Sequence, residues 1–174
     1  KKNHNKVITI IIPRHIDRVK SIKLECDKLN LKSQILNEGE IIDKKNEIII
    51  INSYGVISDY LSICKSVFIG KSIIKKLESV GGQNPIEAAK FGCRIYHGPF
   101  VYNFNELYTL LNKYNISEKI NDEFELSNKL SRDLSEINTI NNLAIEKINK
   151  LGNEILINTY NEIEEIIKNE NFKA

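Results

Sequence analysis

Short apolar runs alternate along this chain with longer stretches in which apolar residues recur every three or four positions. The first run, Val7-Ile8-Thr9-Ile10-Ile11-Ile12, is continuous and β-branched, the pattern of a strand covered on both faces. Pro13-Arg14-His15 closes it. Over residues 16–29, Val19, Ile22, Cys26 and Leu29 fall at helical spacing. A brief second strand is predicted at 33–36, and a polar loop at 37–45. The third strand covers 47–51 and ends at Asn52-Ser53-Tyr54-Gly55, before a helix over 56–64. A fourth strand at 66–69 ends at Gly70, and a lysine-rich segment runs to Val80. Residues 85–91 then read as a helix, 94–96 as a fifth strand ending at Gly98-Pro99, and 103–114 as a helix. A short strand over 116–120 is followed by a helical remainder from 123 to 169.

Strand and helix alternate, and the strands are too apolar to leave a wet face. Together these imply an α/β fold, a parallel sheet with helices on both faces. Neither an internal repeat nor a Pro/Gly-rich linker divides the chain. One domain with a helical C-terminal extension is therefore expected. Ligands of such sheets bind at the carboxyl ends of the strands. The unusual residues gather at those ends: Pro13-Arg14-His15, the turn 52–56, Gly70-Lys71-Ser72 and Gly98-Pro99. The expectation is four loops at one sheet edge.

Composition adds exclusions. With 174 residues the chain suits one domain with a real core, given a prior of about 150 residues per domain. A net charge of +2 offers no strongly basic surface for nucleic acid. The apolar runs all fall well short of the roughly 20 residues that cross a bilayer, and the first is too short for a signal peptide. Cys26, Cys64 and Cys93 are odd in number and far apart, which predicts buried, reduced thiols of an intracellular protein. No His, Cys and Asp cluster suggests a metal. Methionine is absent even from position 1, so the chain reads as a fragment of a longer protein.

The most informative run is Gly81-Gly82-Gln83-Asn84-Pro85-Ile86-Glu87. Asn84 suits an N-cap, Pro85 the first helical position, and Glu87 the acidic place of a capping box. The same geometry suits an anion, because a first helical turn offers N–H groups and partial positive charge. The glycine pair would let backbone approach a ligand closely. Glu87 is equally placed to take hydrogen bonds from a ribose diol, and sequence does not separate that role from capping. Arg14, ending a buried strand, carries the group best shaped for bidentate phosphate contacts. His15 reads as a turn residue, since no Ser or Cys nucleophile accompanies it. Lys71, Lys75 and Lys76 form either a solvated lysine loop or a basic patch. Gly55 is a weak signal alone, because neither the dinucleotide fingerprint nor the phosphate loop is present.

Two longer stretches, "VGGQNPIEAAKFG" (80–92) and "GPFVYNF" (98–104), give the chain a resemblance to a known family. They are close to the patterns GGxNPLEPAxxG and GPHTFNF of 3-deoxy-D-manno-octulosonic acid (Kdo) transferases, which put Kdo on lipid A precursor. The resemblance runs from the Pro13 turn to about Leu107 and concerns the C-terminal half of those enzymes. It implies a Rossmann-like domain of a GT-B glycosyltransferase over residues 1–135, with 136–174 as its helical extension. It also implies CMP-Kdo as donor, with the cytidine nucleotide at Pro13 and Arg14, at Tyr54, Gly55 and Val56, and at Asn84, Pro85, Ile86 and Glu87.

Departures from the pattern are specific. The family's middle loop reads D-T-M-G-E where this chain has Asn52-Ser53-Tyr54-Gly55-Val56, so Val56 stands for the usual Glu. Phe100 and Val101 replace His and Thr, and residues 71–80 are a few residues longer than usual. The resemblance further implies inverting transfer without metal or cofactor. The general base, membrane anchor and lipid acceptor surface would belong to an N-terminal domain outside this chain, so no catalytic residue is assigned and the fragment alone is expected to be inactive. The parent protein would sit at the cytoplasmic face of the bacterial inner membrane, with the fragment itself soluble. The alternatives are another GT-B transferase, half of a UDP-sugar epimerase, or a non-catalytic Rossmann-like interaction module.

Overall fold

A computed structural model describes residues 7–135 and 142–171. The chain forms two compact units, residues 1–64 and 65–174.

The first unit is built on strands β1 (Thr9–Ile11), β2 (Ser33–Leu36) and β3 (Ile48–Ile51), all parallel in the order β1-β3-β2. The central strand, four consecutive isoleucines, is buried throughout. Its period of two sends Ile48 and Ile50 to one face, where they meet Val19 and Cys26 of helix α1 (Val19–Lys28). Ile49 and Ile51 face the other way, onto Leu36, Val56 and Tyr60. Helix α2 (Ile57–Leu61) follows β3 on that second face. The edge strand β1 departs from the dry strand expected of it: Thr9 is exposed and Ile10 and Ile11 only half-buried, since it pairs on one side only. The helix expected from residue 16 begins as a 3-10 turn at Ile16–Arg18.

The second unit repeats the plan with β4 (Ser66–Ile69), β5 (Arg94–His97) and β6 (Ser117–Lys119), parallel in the order β4-β5-β6. Helix α3 (Ile86–Lys90) and helix α4 (Asn105–Lys113) connect these strands. Helices α5 (Glu123–Ser135) and α6 (Asn142–Asn171) follow. The buried Ala88 and Ala89 of α3 lack bulk, and α3 packs against α6, whose Ile148 is buried. From Ile155 to Ile167 the large apolar side chains of α6 are exposed. The helical run expected over 123–169 is described as α5 and α6, while residues 136–141, which the expected domain boundary at 135–136 abuts, lie outside the described residues.

Three helix-to-strand connections, those after α1, α3 and α4, share a construction. Asn30, Gly92 and Asn115 have φ of 54°, 70° and 56°, the left-handed conformation that ends a helix. The next residue then returns its N–H to a carbonyl five positions back: Leu31 to Cys26 (2.9 Å), Cys93 to Ala88 (3.2 Å) and Ile116 to Leu111 (2.9 Å). Each closing residue is apolar and leads into β2, β5 or β6. The three cysteines are free, but only Cys26 and Cys93 are buried. Cys64 is half-exposed, against expectation, because it occupies the turn between α2 and β4, where its N–H donates to Leu61 O (3.3 Å).

Candidate functional site

In the first unit the sequence-predicted residues leave two neighbouring parallel strands. Pro13 and Arg14 follow β1, and Tyr54, Gly55 and Val56 follow β3, strands that pair directly and so lie about 4.8 Å apart. Arg14 is exposed and makes no ion pair among the described residues. His15 serves as a turn residue, its carbonyl accepting the Arg18 N–H at 3.2 Å. Asn52 ties the carboxyl ends of β3 and β2 together. Its N–H donates to Leu36 O (2.9 Å) and its side-chain amide to Asn37 Oδ1 (2.7 Å).

The following turn presents backbone. Gly55 adopts φ of 78° with open space where a Cβ would stand. Tyr54 is exposed, whereas the Val56 side chain packs inward onto the Leu36, Ile49 and Ile51 cluster. Only the main chain of Val56 therefore remains for a ligand, where the family pattern has a carboxylate. A groove of about 450 Å³ opens beside these strand ends, lined by Ile16, Asp17, Val19, Lys20, Ile35, Asn37 and Asn52. It contains none of the predicted residues. Sequence reading passed over Asn37 because it sits in a polar loop like any other.

In the second unit the glycine pair has an internal task. Gly81 and Gly82 are buried, and a Cβ on Gly81 would stand 2.4 Å from Phe100 O. The backbone approaches the chain itself there: Gly82 N–H donates to Lys71 O (3.0 Å), and Phe100 N–H to Ser72 O (2.8 Å). Ser72, wholly buried, knots these loops together. Its hydroxyl donates to Ile69 O (2.6 Å) and accepts the Gly98 N–H (2.8 Å). Gly98 leaves no room for a side chain, since its Cβ would meet Ser72 O at 2.1 Å. Lys71 takes a left-handed φ of 61° to make the turn, while Lys75 and Lys76 are exposed on a 3-10 segment. The sequence placed Gly70-Lys71-Ser72 and Gly98 at strand ends, but the knot between them was not legible, because a serine beside a lysine does not show what it bonds.

This knot delivers the chain to Asn84, Pro85, Ile86 and Glu87. Pro85 is buried with helical angles (φ −87°, ψ −8°), and its carbonyl accepts the Ala89 N–H at 3.0 Å. Asn84 Oδ1 accepts the Ile86 N–H at 3.0 Å, the bond expected of a capping asparagine. Asn84 and Glu87 are exposed, the latter in the first turn. Behind them, the buried Tyr108 hydroxyl of α4 donates to Gln83 O (2.8 Å), and its ring lies 4.3 Å from that of buried His97. Burial pushes the Tyr108 phenol up and the His97 imidazole down, so both are neutral near pH 7.

The first residues of β4 and β5 hold a different constellation. Asp133 of α5, wholly buried, accepts from Ser66 Oγ (2.6 Å), Tyr96 OH (2.8 Å) and the Arg94 guanidinium. Burial alone would raise its pKa, but the hydrogen bonds from Ser66, Tyr96 and Arg94 outweigh it and hold the carboxyl below its usual value. Tyr96, pushed up to about 12 by burial first and by Asp133 second, stays a donor. Ser66 and Arg94 stand at the amino ends of their strands, so this cluster fastens α5 to the sheet away from the loops. Among the described residues no group of His, Cys, Asp and Glu could hold a metal ion. Nor, among them, is any helix long and apolar enough to cross a membrane.

The chain is 24% identical over 135 residues to the 3-deoxy-D-manno-octulosonic acid transferase of Aquifex aeolicus, covering 78% of this chain and 36% of that protein. It is 34% identical over 90 residues to the enzyme of the same name from Rickettsia felis, covering 52% and 18%. The chain thus spans about a third or less of the relatives it matches. Its fold matches the crystal structure of the C-terminal CMP-Kdo binding domain of WaaA from Acinetobacter baumannii, with a TM-score of 0.73 and 20% identity over 84% of this chain and 76% of that one. No family model matches.

Proposed function

We propose that this chain, related in sequence to the Kdo transferases and in fold to the C-terminal domain of WaaA, is the donor-binding part of a glycosyltransferase that moves Kdo from CMP-Kdo to lipid A precursor. The observation that carries the reading is positional. Pro13-Arg14, Tyr54-Gly55-Val56 and Asn84-Pro85-Ile86-Glu87 each fall at the carboxyl side of a parallel strand within their own unit, where α/β sheets take ligands.

The roles follow from the chemistry of each group. Arg14, exposed and without an ion pair among the described residues, supplies a permanent positive charge for the CMP phosphate. The 54–56 turn offers main-chain N–H and C=O groups to the cytidine, with Gly55 leaving space for it. At the 84–87 segment Pro85 has no N–H, and Asn84 already takes that of Ile86. Two of the first donors of this turn are thus accounted for. Glu87, exposed in the first turn, is assigned to the ribose hydroxyls.

In the parent reaction the bond from Kdo C2 to the phosphate oxygen breaks, CMP departs with that oxygen, and the acceptor hydroxyl gives its proton to the general base as its oxygen bonds to C2, with inversion and without metal. Stabilising the departing phosphate is the part of this chain; one preorganised contact of that kind lowers the barrier by about 3 kcal/mol. The general base, the acceptor surface and the attachment to the cytoplasmic face of the inner membrane are assigned to parts of the parent protein outside this chain. The chain alone then binds donor and transfers nothing.

Calorimetry with CMP at millimolar concentration tests this. Wild-type protein is expected to bind CMP in preference to UMP, and Arg14→Ala to weaken binding by about tenfold, as for a charged hydrogen bond. Absence of heat with a folded chain would sink the reading.

A further inference from the structure

Tyr108 belongs to no stretch that marks the family resemblance, yet its hydroxyl reaches the carbonyl immediately before Asn84. The stretch 81–83, in which Gly82 takes a left-handed φ of 81°, is held at its start by the buried glycine pair and the Gly82 N–H to Lys71 O bond. Its end is held by Tyr108 Oη on Gln83 O at 2.8 Å. Tyr108 is itself fixed from below. It is 1% exposed, and its ring lies tilted 43° on that of His97, which is 2% exposed at the end of β5.

The His97 ring is held at both nitrogens. Nδ1 lies 2.7 Å from Gly98 O, an acceptor only, so Nδ1 carries the proton and Nε2 of the neutral ring is an acceptor. Nε2 lies 3.4 Å from Asn112 Oδ1, which also accepts from Ser117 Oγ at the start of β6. With the proton on Nδ1, that contact is a hydrogen bond only with the Asn112 amide assigned the other way round, its N–H₂ toward the ring. A continuous line of contacts therefore runs from Ser117 and Asn112 through His97 and Tyr108 to Gln83, all within the second unit.

We propose that Tyr108 is a positioning residue for the donor site: its hydroxyl sets the place of the Asn84–Glu87 segment while its ring merely fills the core. This rests on the donor-binding reading above. Packing alone needs the ring and not the hydroxyl, and Gln83 is only half-buried, so water can satisfy its carbonyl when the hydroxyl is removed.

Tyr108→Phe in the full chain separates the two roles, read by thermal melting, by CMP calorimetry and by ¹⁵N amide spectra without ligand. The expected result is an almost unchanged melting temperature, CMP binding weakened about fivefold, and shifted amide signals at Asn84, Ile86 and Glu87 but not in β3. Unchanged CMP affinity overturns the proposal, and so does loss of the fold, which would make the hydroxyl a stability element. If the wild type itself binds no CMP, the donor-binding reading fails first, and the ligand-free amide shifts show whether the hydroxyl still sets the segment.

Discussion

Asp133 is where single residues matter most for stability. Its carboxylate is buried among three donors, while its partner Arg94 remains 41% exposed. Truncation by Asp133→Ala leaves Ser66 and Tyr96 without their acceptor. The cost is set at about 3 kcal/mol, the low end for a broken buried pair because Arg94 keeps access to water. A urea titration measures it. The pH dependence follows from the direction of the shift. The folded pKa lies below the unfolded one, so the stabilisation is complete above the ordinary Asp value of about 3.9 and is lost as pH falls through the lower folded value. Asp133→Asn should flatten that acid limb, and an unchanged limb would contradict the account. None of this was legible, because Asp133 is one more charged residue of a helix whose inward face only packing reveals. Arg14 and Asn84 were legible, since a strand end and an N-cap are local features. The inward turn of Val56 was not, because valine belongs equally to a core and a turn.

The recurrent ending of α1, α3 and α4 is the clearest rule at the level of elements. Asn30, Gly92 and Asn115 each take a left-handed φ, and an apolar residue follows into the next strand. Asparagine tolerates this conformation and glycine prefers it, whereas alanine pays about 1 kcal/mol. Asn115→Ala should accordingly lower stability by about 1 kcal/mol and Asn115→Gly should leave it equal or slightly higher, both by denaturant midpoint. Equal losses in the two variants would argue that the side chain, not the backbone angle, is what counts. The strands and helices themselves were readable from periodicity to within two or three residues. The 3-10 turns at 16–18 and 75–80 were not, because they share the apolar spacing or the charge of the segments around them. The glycine pair shows how one signal supports two readings. Gly81 and Gly82 are needed for close approach, and that approach is to residues 71 and 100–101 of the same chain.

At the scale of the molecule, strand–helix alternation implied a parallel α/β fold, whereas the single sheet with four loops at one edge expected from it is instead two parallel three-stranded sheets. The division into units at residue 64 left no mark in the sequence, because the turn from α2 to β4 has no linker composition. Function at this scale rests on short segments at strand ends in each unit, and on relatives of which this chain matches about a third of the length or less. Titrating ¹⁵N-labelled protein with CMP, followed residue by residue, tests the central claim most directly. Amide shifts concentrated at Arg14, Gly55, Val56, Ile86 and Glu87, saturating at millimolar CMP and weaker with UMP, are the predicted result. Shifts confined to other surfaces, or none in a well-folded chain, would contradict it.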